Sequence, residues 1–209
     1  MANYVIYSDF DNTITQYDLL DRIITEVYSF ETYKEAERQL LSGELAFEDY
    51  LMQLFDGIEY DLAQIPAAAV DPTFRAFYEW TRAEGIDFYV VSSGFKRAIR
   101  HLLPYVPEEL IYANDVTVAE DGKWKVELHA PGASVDKRAV VALHQKPGHK
   151  TIYVGDGLSD FKVMGQVDYL FCKEGSLLHE KCVAEGCPHL PFADFASVLR
   201  KIKNSEGIL

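Results

Sequence analysis

Short apolar runs rich in β-branched and aromatic residues recur along the chain, at 4–8, 86–91 (IDFYVV), 110–113 (LIYA), 151–154 (TIYV) and 168–172 (DYLFC). Near-continuous apolarity at this length predicts strands buried on both faces, as in a parallel sheet. Apolar residues return at helical spacing in 72–84, 95–103, 135–145 and 158–165. Strands alternating with helices predict an open, mainly parallel α/β sheet.

Residues 17–70 break that alternation. Leu19, Leu20, Ile23, Ile24 and Val27, then Phe47, Leu51, Leu54 and Phe55, recur at helical spacing with no strand between them, and Ser42-Gly43 marks a turn. The pattern predicts a small helical insertion after the first strand, poised as a lid, with 1–16 and 71–209 forming the α/β core. Around 114–130, Val116 and Val118 alternate up to Asp121-Gly122, followed by Trp124, Val126 and Leu128. That is the pattern of a β-hairpin with an Asp-Gly turn.

Composition narrows the function. The 209 residues are 48% hydrophobic and carry a net charge of −13, with no Lys/Arg run to track phosphates. Binding to nucleic acid or to an anionic membrane surface is disfavoured. No apolar stretch reaches the roughly 20 residues that span a bilayer. The first residues enter a strand-like run without a basic, cleavable leader, which predicts a cytoplasmic protein. Three cysteines, Cys172, Cys182 and Cys187, are too few and too odd in number for a disulfide framework. Cys182, Cys187 and His189, with His179 nearby, match no zinc-site spacing, and their default reading is buried or incidental.

The polar clusters fall where apolar runs end: Asp9-Phe10-Asp11-Asn12-Thr13, then Ser92-Ser93-Gly94, then Gly155-Asp156-Gly157-Leu158-Ser159-Asp160. In open α/β sheets the carboxyl ends of strands form the ligand crevice. Asp9, Asp11 and Asp156 converging there need a counter-charge, and a hard, oxygen-seeking divalent cation, Mg²⁺ first, supplies it. Such a metal usually binds together with a substrate phosphate. The phosphate would find backbone N–H donors at Ser93 and Gly94, where a helix is predicted to begin, and the hydroxyl of Ser92. Lys137 is the cation that would complete the site, with Arg138, Lys146 and Lys150 as alternatives. One aspartate can then attack phosphorus while the other handles the leaving group's proton.

Taken in order, DFDNT, VVSSG, Lys137 and GDGLSD resemble the four motifs of the haloacid dehalogenase superfamily of phosphohydrolases. The resemblance covers residues 4 to about 172, and the insertion resembles the helical cap of the phosphoserine-phosphatase-like branch. It implies a Rossmann-like core and an Mg²⁺-dependent phosphomonoester hydrolase working through an aspartyl phosphate. Asp9 would be the nucleophile and a metal ligand. Asp11 would be the general acid/base and would offer its backbone carbonyl to the metal. Ser92, Lys137 and Thr13 would bind phosphoryl oxygens, Thr13 also fixing the loop, Asp156 would ligate the metal and Asp160 would orient metal-bound water.

The same resemblance bears on substrate, expected to be a small phosphorylated metabolite. Asp18 stands where that branch keeps a cap acid for a substrate amine. Leu54 stands where it keeps an arginine for a substrate carboxylate, which disfavours phosphoserine. DFDNTITQYD, FYVVSSG and HLPFADF are similar to the methylthiopentenyl-phosphate phosphatases of methionine salvage, whose methylthio tail would suit an apolar cap. The alternatives are a phosphoserine- or phosphocholine-type phosphatase and a phosphotransferase. If Leu54 is misaligned, Arg38 or Lys34 is the residue that would hold a carboxylate.

Overall fold

A computed structural model describes residues 4–204. Seven strands form one sheet in the order β4-β3-β2-β1-β5-β6-β7. Strand β1 (Tyr4–Ser8) lies at its centre, paired in parallel with β2 (Asp87–Phe95) and β5 (Lys150–Gly155). Its alternating side chains enter two different cores, Ile6 on one face and Val5 and Tyr7 on the other. That is why its sequence is apolar throughout. Parallel pairing continues to β3 (Ile111–Val118) on one side, and to β6 (Tyr169–Lys173) and β7 (Leu190–Phe192) on the other. Strand β4 (Trp124–Glu127) pairs antiparallel with β3, and the hairpin turn places Gly122 at φ 83°, a conformation that glycine adopts without strain.

Helices cover both faces. α4 (Phe74–Ala83), α5 (Lys96–Leu102) and α8 (Phe195–Asn204) bury Phe74, Phe77, Ile99, Phe195 and Val198 against Ile6, Phe88 and Val154. On the opposite face α6 (Lys137–His144) and α7 (Leu177–Glu185) bury Val140, Val141, Leu178 and Cys182 against Val5, Tyr7 and Tyr153.

Between β1 and β2 lie α1 (Leu19–Val27), α2 (Phe30–Ser42) and α3 (Phe47–Phe55). Asp18 caps α1 by accepting from the Asp21 N–H, and Gly43 closes α2 in the left-handed region. Leu19, Ile23, Leu51, Leu54 and Phe55 join the same apolar cluster as one face of the sheet. The chain enters and leaves this segment side by side, with Gln16 N–H donating to the Ala69 carbonyl and Asp71 N–H to the Ile14 carbonyl, both at 2.8 Å. The segment also rests on the hairpin: Trp124 N–H donates to the Ile58 carbonyl (2.7 Å) and Trp124 Nε1 to the Tyr60 carbonyl (3.1 Å).

Several sequence expectations need correction. β2 does not end at residue 91 but runs to Phe95, because pairing with β3 resumes at Phe95 and Asn114 after an irregularity. Ser92-Ser93-Gly94 is therefore extended backbone, and α5 begins at Lys96 instead of at Ser93 or Gly94. β3 is one strand through both the expected strand at 110–113 and the first arm of the hairpin. The helix expected at 158–165 is a 3₁₀ segment, Leu158–Val163, tightened by the Asp160 carboxylate reaching back to the N–H groups of Asp156 and Gly157. β7, α7 and α8 were not anticipated. β7 has only three residues, one of them Pro191, which suits an edge strand.

The C-terminal helix is part of the core. Phe195 is fully buried, its ring centroid 4.9 Å from that of Phe74 and 5.1 Å from that of Phe77. Truncating a buried phenylalanine costs about 3–5 kcal/mol in transfer and cavity terms. Phe195→Ala should therefore lower the unfolding free energy by about that much in a urea titration, and a loss under about 1 kcal/mol would show α8 to be dispensable.

Candidate active site

The register of the sheet brings the polar clusters together. Ser8 sits opposite Val90 on one side and Val154 on the other, so β1, β2 and β5 deliver the residues that follow to one crevice. Asp9 still belongs to the sheet through its N–H, which donates to the Val154 carbonyl at 2.8 Å. Its Oδ1 accepts from the Phe10 N–H at 2.7 Å, and its Oδ2 lies 2.7 Å from Lys137 Nζ. After Phe10 the chain turns through Asn12 at φ 52°, a left-handed conformation that asparagine tolerates better than most residues. Lys173 Nζ, from the end of β6, donates to the Asn12 carbonyl and steadies that turn.

Asp11 points at β2. Its Oδ1 accepts from the Leu19 N–H (3.2 Å) and its Oδ2 from the Ser92 hydroxyl (3.4 Å). A Cβ at Gly94 would lie 2.5 Å from Asp11 Oδ2, so only glycine leaves room for that carboxylate. The Gly94 N–H already donates to Ser92 Oγ at 2.9 Å. Ser93 is tied from behind: fully buried Asn114 donates through Nδ2 to the Ser93 carbonyl (2.7 Å) and to Ser134 Oγ (2.9 Å). Ser134 N–H in turn donates to Glu48 of α3 at 3.0 Å, which links the inserted helices to this wall of the site.

Asp156, at the end of β5, accepts from Asn12 Nδ2 (2.7 Å) and from the Thr13 hydroxyl (2.8 Å). Thr13 thus braces Asp156 through its hydroxyl. Asp160 is fully buried; its Oδ1 accepts from Lys137 Nζ (2.7 Å) and Tyr153 OH (2.6 Å), and its Oδ2 from Asp156 N–H and Gly157 N–H (2.9 Å each). Those four donors fill its acceptor positions, so it orients Lys137 and the loop directly. Tyr153, Asn12, Lys173 and Asn114 had no role in the sequence reading. Asn12 lies within a motif, and its neighbours Asp11 and Thr13 were the available signal.

The charges do not balance among the protein groups alone. Burial works against the ammonium of Lys137, but Asp160 and Asp9 outweigh it and hold the group charged. Asp160 is held below the usual carboxylate range, because Lys137, Tyr153 and backbone donors overcome its burial. Asp9 goes the other way: burial, then the Asp160 charge, push it well up, and its share of Lys137 does not compensate. Burial and Asp160 also raise Asp156, and burial first, with Asp156, pushes Asp11 up to about 6. Carboxyl oxygens of Asp9, Asp156 and Asp160 lie within 4.8 Å of one another, the one group of metal-ligating side chains found among the described residues. Asp9 and Asp156 fit a hard divalent cation, since their raised affinity for protons marks missing positive charge.

The other expected residues lie apart. Arg138 is exposed, and Lys146 and Lys150 pair with Asp87 and Asp168, which leaves Lys137 as the buried cation. Leu54 is 1% exposed and sits within the apolar cluster. Lys34 pairs with Glu37, and Arg38 with Glu35 and Glu44, all at the surface. Asp18 is near the site, its carboxyl raised by burial and by the Asp11 charge. Cys172 and Cys182 are free and buried with their sulfurs 3.8 Å apart, and His179 and His189 join no thiol in a metal-like group among the described residues. No helix among the described residues is long and apolar enough to cross a membrane.

The chain is similar to known proteins over nearly its whole length. Pdp3-interacting factor 1 of Schizosaccharomyces pombe is 29% identical over 95% of this chain and 94% of its own length. A polyol phosphate phosphatase of Saccharomyces cerevisiae is 28% identical over 97% and 94%. A 2-hydroxy-3-keto-5-methylthiopentenyl-1-phosphate phosphatase of Bacillus cereus is 26% identical over 95% of each. Among solved structures, a phosphoserine phosphohydrolase-like protein from Francisella tularensis shares the fold with a TM-score of 0.69 at 20% identity, covering 97% of this chain and 100% of that one. The family model for haloacid dehalogenase-like hydrolases matches residues 6–165, most of the core together with the inserted helices, and the chain belongs to that family.

Proposed function

We propose that this hydrolase is an Mg²⁺-dependent phosphomonoesterase that acts through an aspartyl phosphate on Asp9. The observation that carries the reading is the meeting of Asp9, Asp11, Ser92, Lys137 and Asp156 in one crevice at the ends of β1, β2 and β5. Asp9 attacks phosphorus, the bond to the leaving oxygen breaks, and Asp11 gives that oxygen its proton. Water then attacks the acyl phosphate, with Asp11 taking the proton back, and inorganic phosphate leaves. A carboxyl held near pH 6 serves both directions at neutral pH. Lys137 and the Ser92 hydroxyl anchor phosphoryl oxygens. The Asp9 and Asp156 carboxylates and the Asp11 backbone carbonyl would hold Mg²⁺, which supplies the positive charge that the site lacks. The inserted helices at 17–70 act as a cap over the leaving group, with 1–16 and 71–209 as the core.

For the substrate, the cap argues against a carboxylate. Arg22, Lys34 and Arg38 are the basic residues of 17–70, and each is engaged by a glutamate at the surface. Leu51, Leu54 and Phe55 fill the apolar cluster and are not free for a methylthio tail, whereas Phe47 is half-buried and Met52 exposed. Among the acids of this segment, Asp21 and Glu37 act on the hydroxyl of Tyr33, and Asp21, Asp18 and Glu37 on that of Tyr50. A hydroxyl-rich monoester, as the polyol phosphate phosphatase takes, therefore fits better than phosphoserine. The methylthiopentenyl phosphate remains the second reading, supported by the relatives of that name.

Three outcomes follow. Asp9→Asn should lose p-nitrophenyl phosphate hydrolysis by at least about 10³-fold, whereas Asp11→Asn should slow phosphate release and accumulate phosphoenzyme. Wild-type turnover in Asp9→Asn would remove Asp9 from the mechanism. Second, Asp11, with Asp9 and Asp156, binds protons more tightly in the folded chain than the unfolded carboxylate pKa of about 3.9 allows. The folded state therefore holds extra protons between about pH 4 and 6, and stability falls as pH rises through that window. The metal-free protein should melt higher at pH 5 than at pH 8, and Mg²⁺ should raise the melting temperature more at pH 8. An Mg²⁺ effect equal at both values would contradict the charge argument. Third, kcat/KM for a small polyol phosphate should exceed that for phosphoserine by about 30-fold or more, the usual cost of a missing charged partner. A tenfold preference for phosphoserine would reverse the assignment.

A further inference from the structure

Tyr153 lies in the middle of β5, two residues before Gly155, and is fully buried in the cluster that holds Val5, Tyr7 and Val141. Phenylalanine would fill that volume without bringing a hydroxyl into the core, so the hydroxyl must offset its own desolvation. It does so on a single atom: Tyr153 OH donates to Asp160 Oδ1 at 2.6 Å, the same oxygen that takes Lys137 Nζ at 2.7 Å. Lys137 also lies 2.7 Å from Asp9 Oδ2. Two carboxylates thus compete for one buried ammonium. Gly155 makes the contact possible, because a Cβ there would stand 2.6 Å from Asp160 Oδ2 and 2.9 Å from Tyr153 Cε1.

We propose that Tyr153 is a positioning residue: its phenol satisfies part of Asp160, so that Lys137 stays divided between Asp160 and the reacting side of the site. Without the hydroxyl, Asp160 Oδ1 has only the ammonium as donor. Lys137 then moves toward Asp160 and away from Asp9 and from the phosphoryl oxygens. The inference rests on the proposed roles of Asp9 and Lys137. Tyr7 supplies an internal control, being also fully buried on the same face of the sheet, with its hydroxyl donating to the backbone carbonyl of Val141 at 3.2 Å and to no carboxylate of the site.

The test compares Tyr153→Phe with Tyr7→Phe, using p-nitrophenyl phosphate hydrolysis, product inhibition by inorganic phosphate, and urea unfolding. Tyr153→Phe should lower kcat/KM by about 10- to 100-fold and weaken phosphate inhibition about tenfold, as expected for a displaced anchoring charge. Tyr7→Phe should leave both within about twofold while losing a similar amount of stability, since only a buried hydrogen bond is removed. Kinetics of Tyr153→Phe within twofold of Tyr7→Phe would overturn the proposal. Should Tyr153→Phe not fold, the wild-type chain labelled with ¹³C-tyrosine decides. The Tyr153 Cζ resonance should move on addition of Mg²⁺ and inorganic phosphate while that of Tyr7 stays, and an unmoved Tyr153 signal would overturn it. A wild-type chain that releases no phosphate would overturn this inference together with the reading beneath it. Wild-type hydrolysis with an indifferent Tyr153→Phe would overturn this inference alone.

Discussion

The site depends on one buried ammonium. Lys137 is completely enclosed and lies at equal distance from Asp9 and Asp160. Removing an ammonium from water costs several kcal/mol unless its partners repay it, and two carboxylates, themselves held by other donors, do so here. Its position explains the opposite fates of those two carboxyls. Asp160, with Tyr153 and two backbone N–H groups besides, is kept ionised, while Asp9 is left short of positive charge. The role proposed for Asp9 needs this arrangement together with a further cation: Lys137 holds the carboxyl in place, and added positive charge would keep it ionised.

The sheet makes the arrangement possible by register. Parallel pairing of β1 with both β2 and β5 ends at Ser8, Val90 and Val154, so the turn after β1, the last residues of β2 and the turn after β5 meet at one end of the strands. Each of these stretches then needs its own local device. Asn12 turns in the left-handed region and hands its side chain to Asp156. Gly94 leaves space for Asp11, and Gly155 leaves space for Asp160. The inserted helices share the apolar cluster of one sheet face and touch the site wall through Glu48, Ser134 and Asn114. Their placement is therefore coupled by hydrogen bonds to the Ser93 backbone.

Much of this was legible because the chemistry lies where an apolar run meets a polar cluster. Asp9, Asp11, Ser92 and Asp156 all occupy such junctions, and the strands before them are short and unbroken. Lys137 was one cation among four in its stretch, and only burial separates it from Arg138, Lys146 and Lys150. Tyr153 was invisible because a tyrosine in TIYV reads simply as a strand former. Asn114 and Glu48 act across long sequence separations that no local pattern records. The extension of β2 through Ser92-Ser93-Gly94 was missed for a related reason: small polar residues signal a turn, but here tertiary pairing overrides that preference.

The central claim is that the Asp9 carboxylate, held by Lys137, becomes covalently phosphorylated. It is tested most directly by quenching turnover with acid, reducing the acyl phosphate with borohydride and locating the product by peptide mass spectrometry. Borohydride converts a phosphorylated aspartate to homoserine. The account predicts homoserine at position 9 in protein quenched with substrate and Mg²⁺, and none when substrate is omitted. Homoserine at position 11 or 156, or phosphate released with no modified aspartate at any time point, would contradict it.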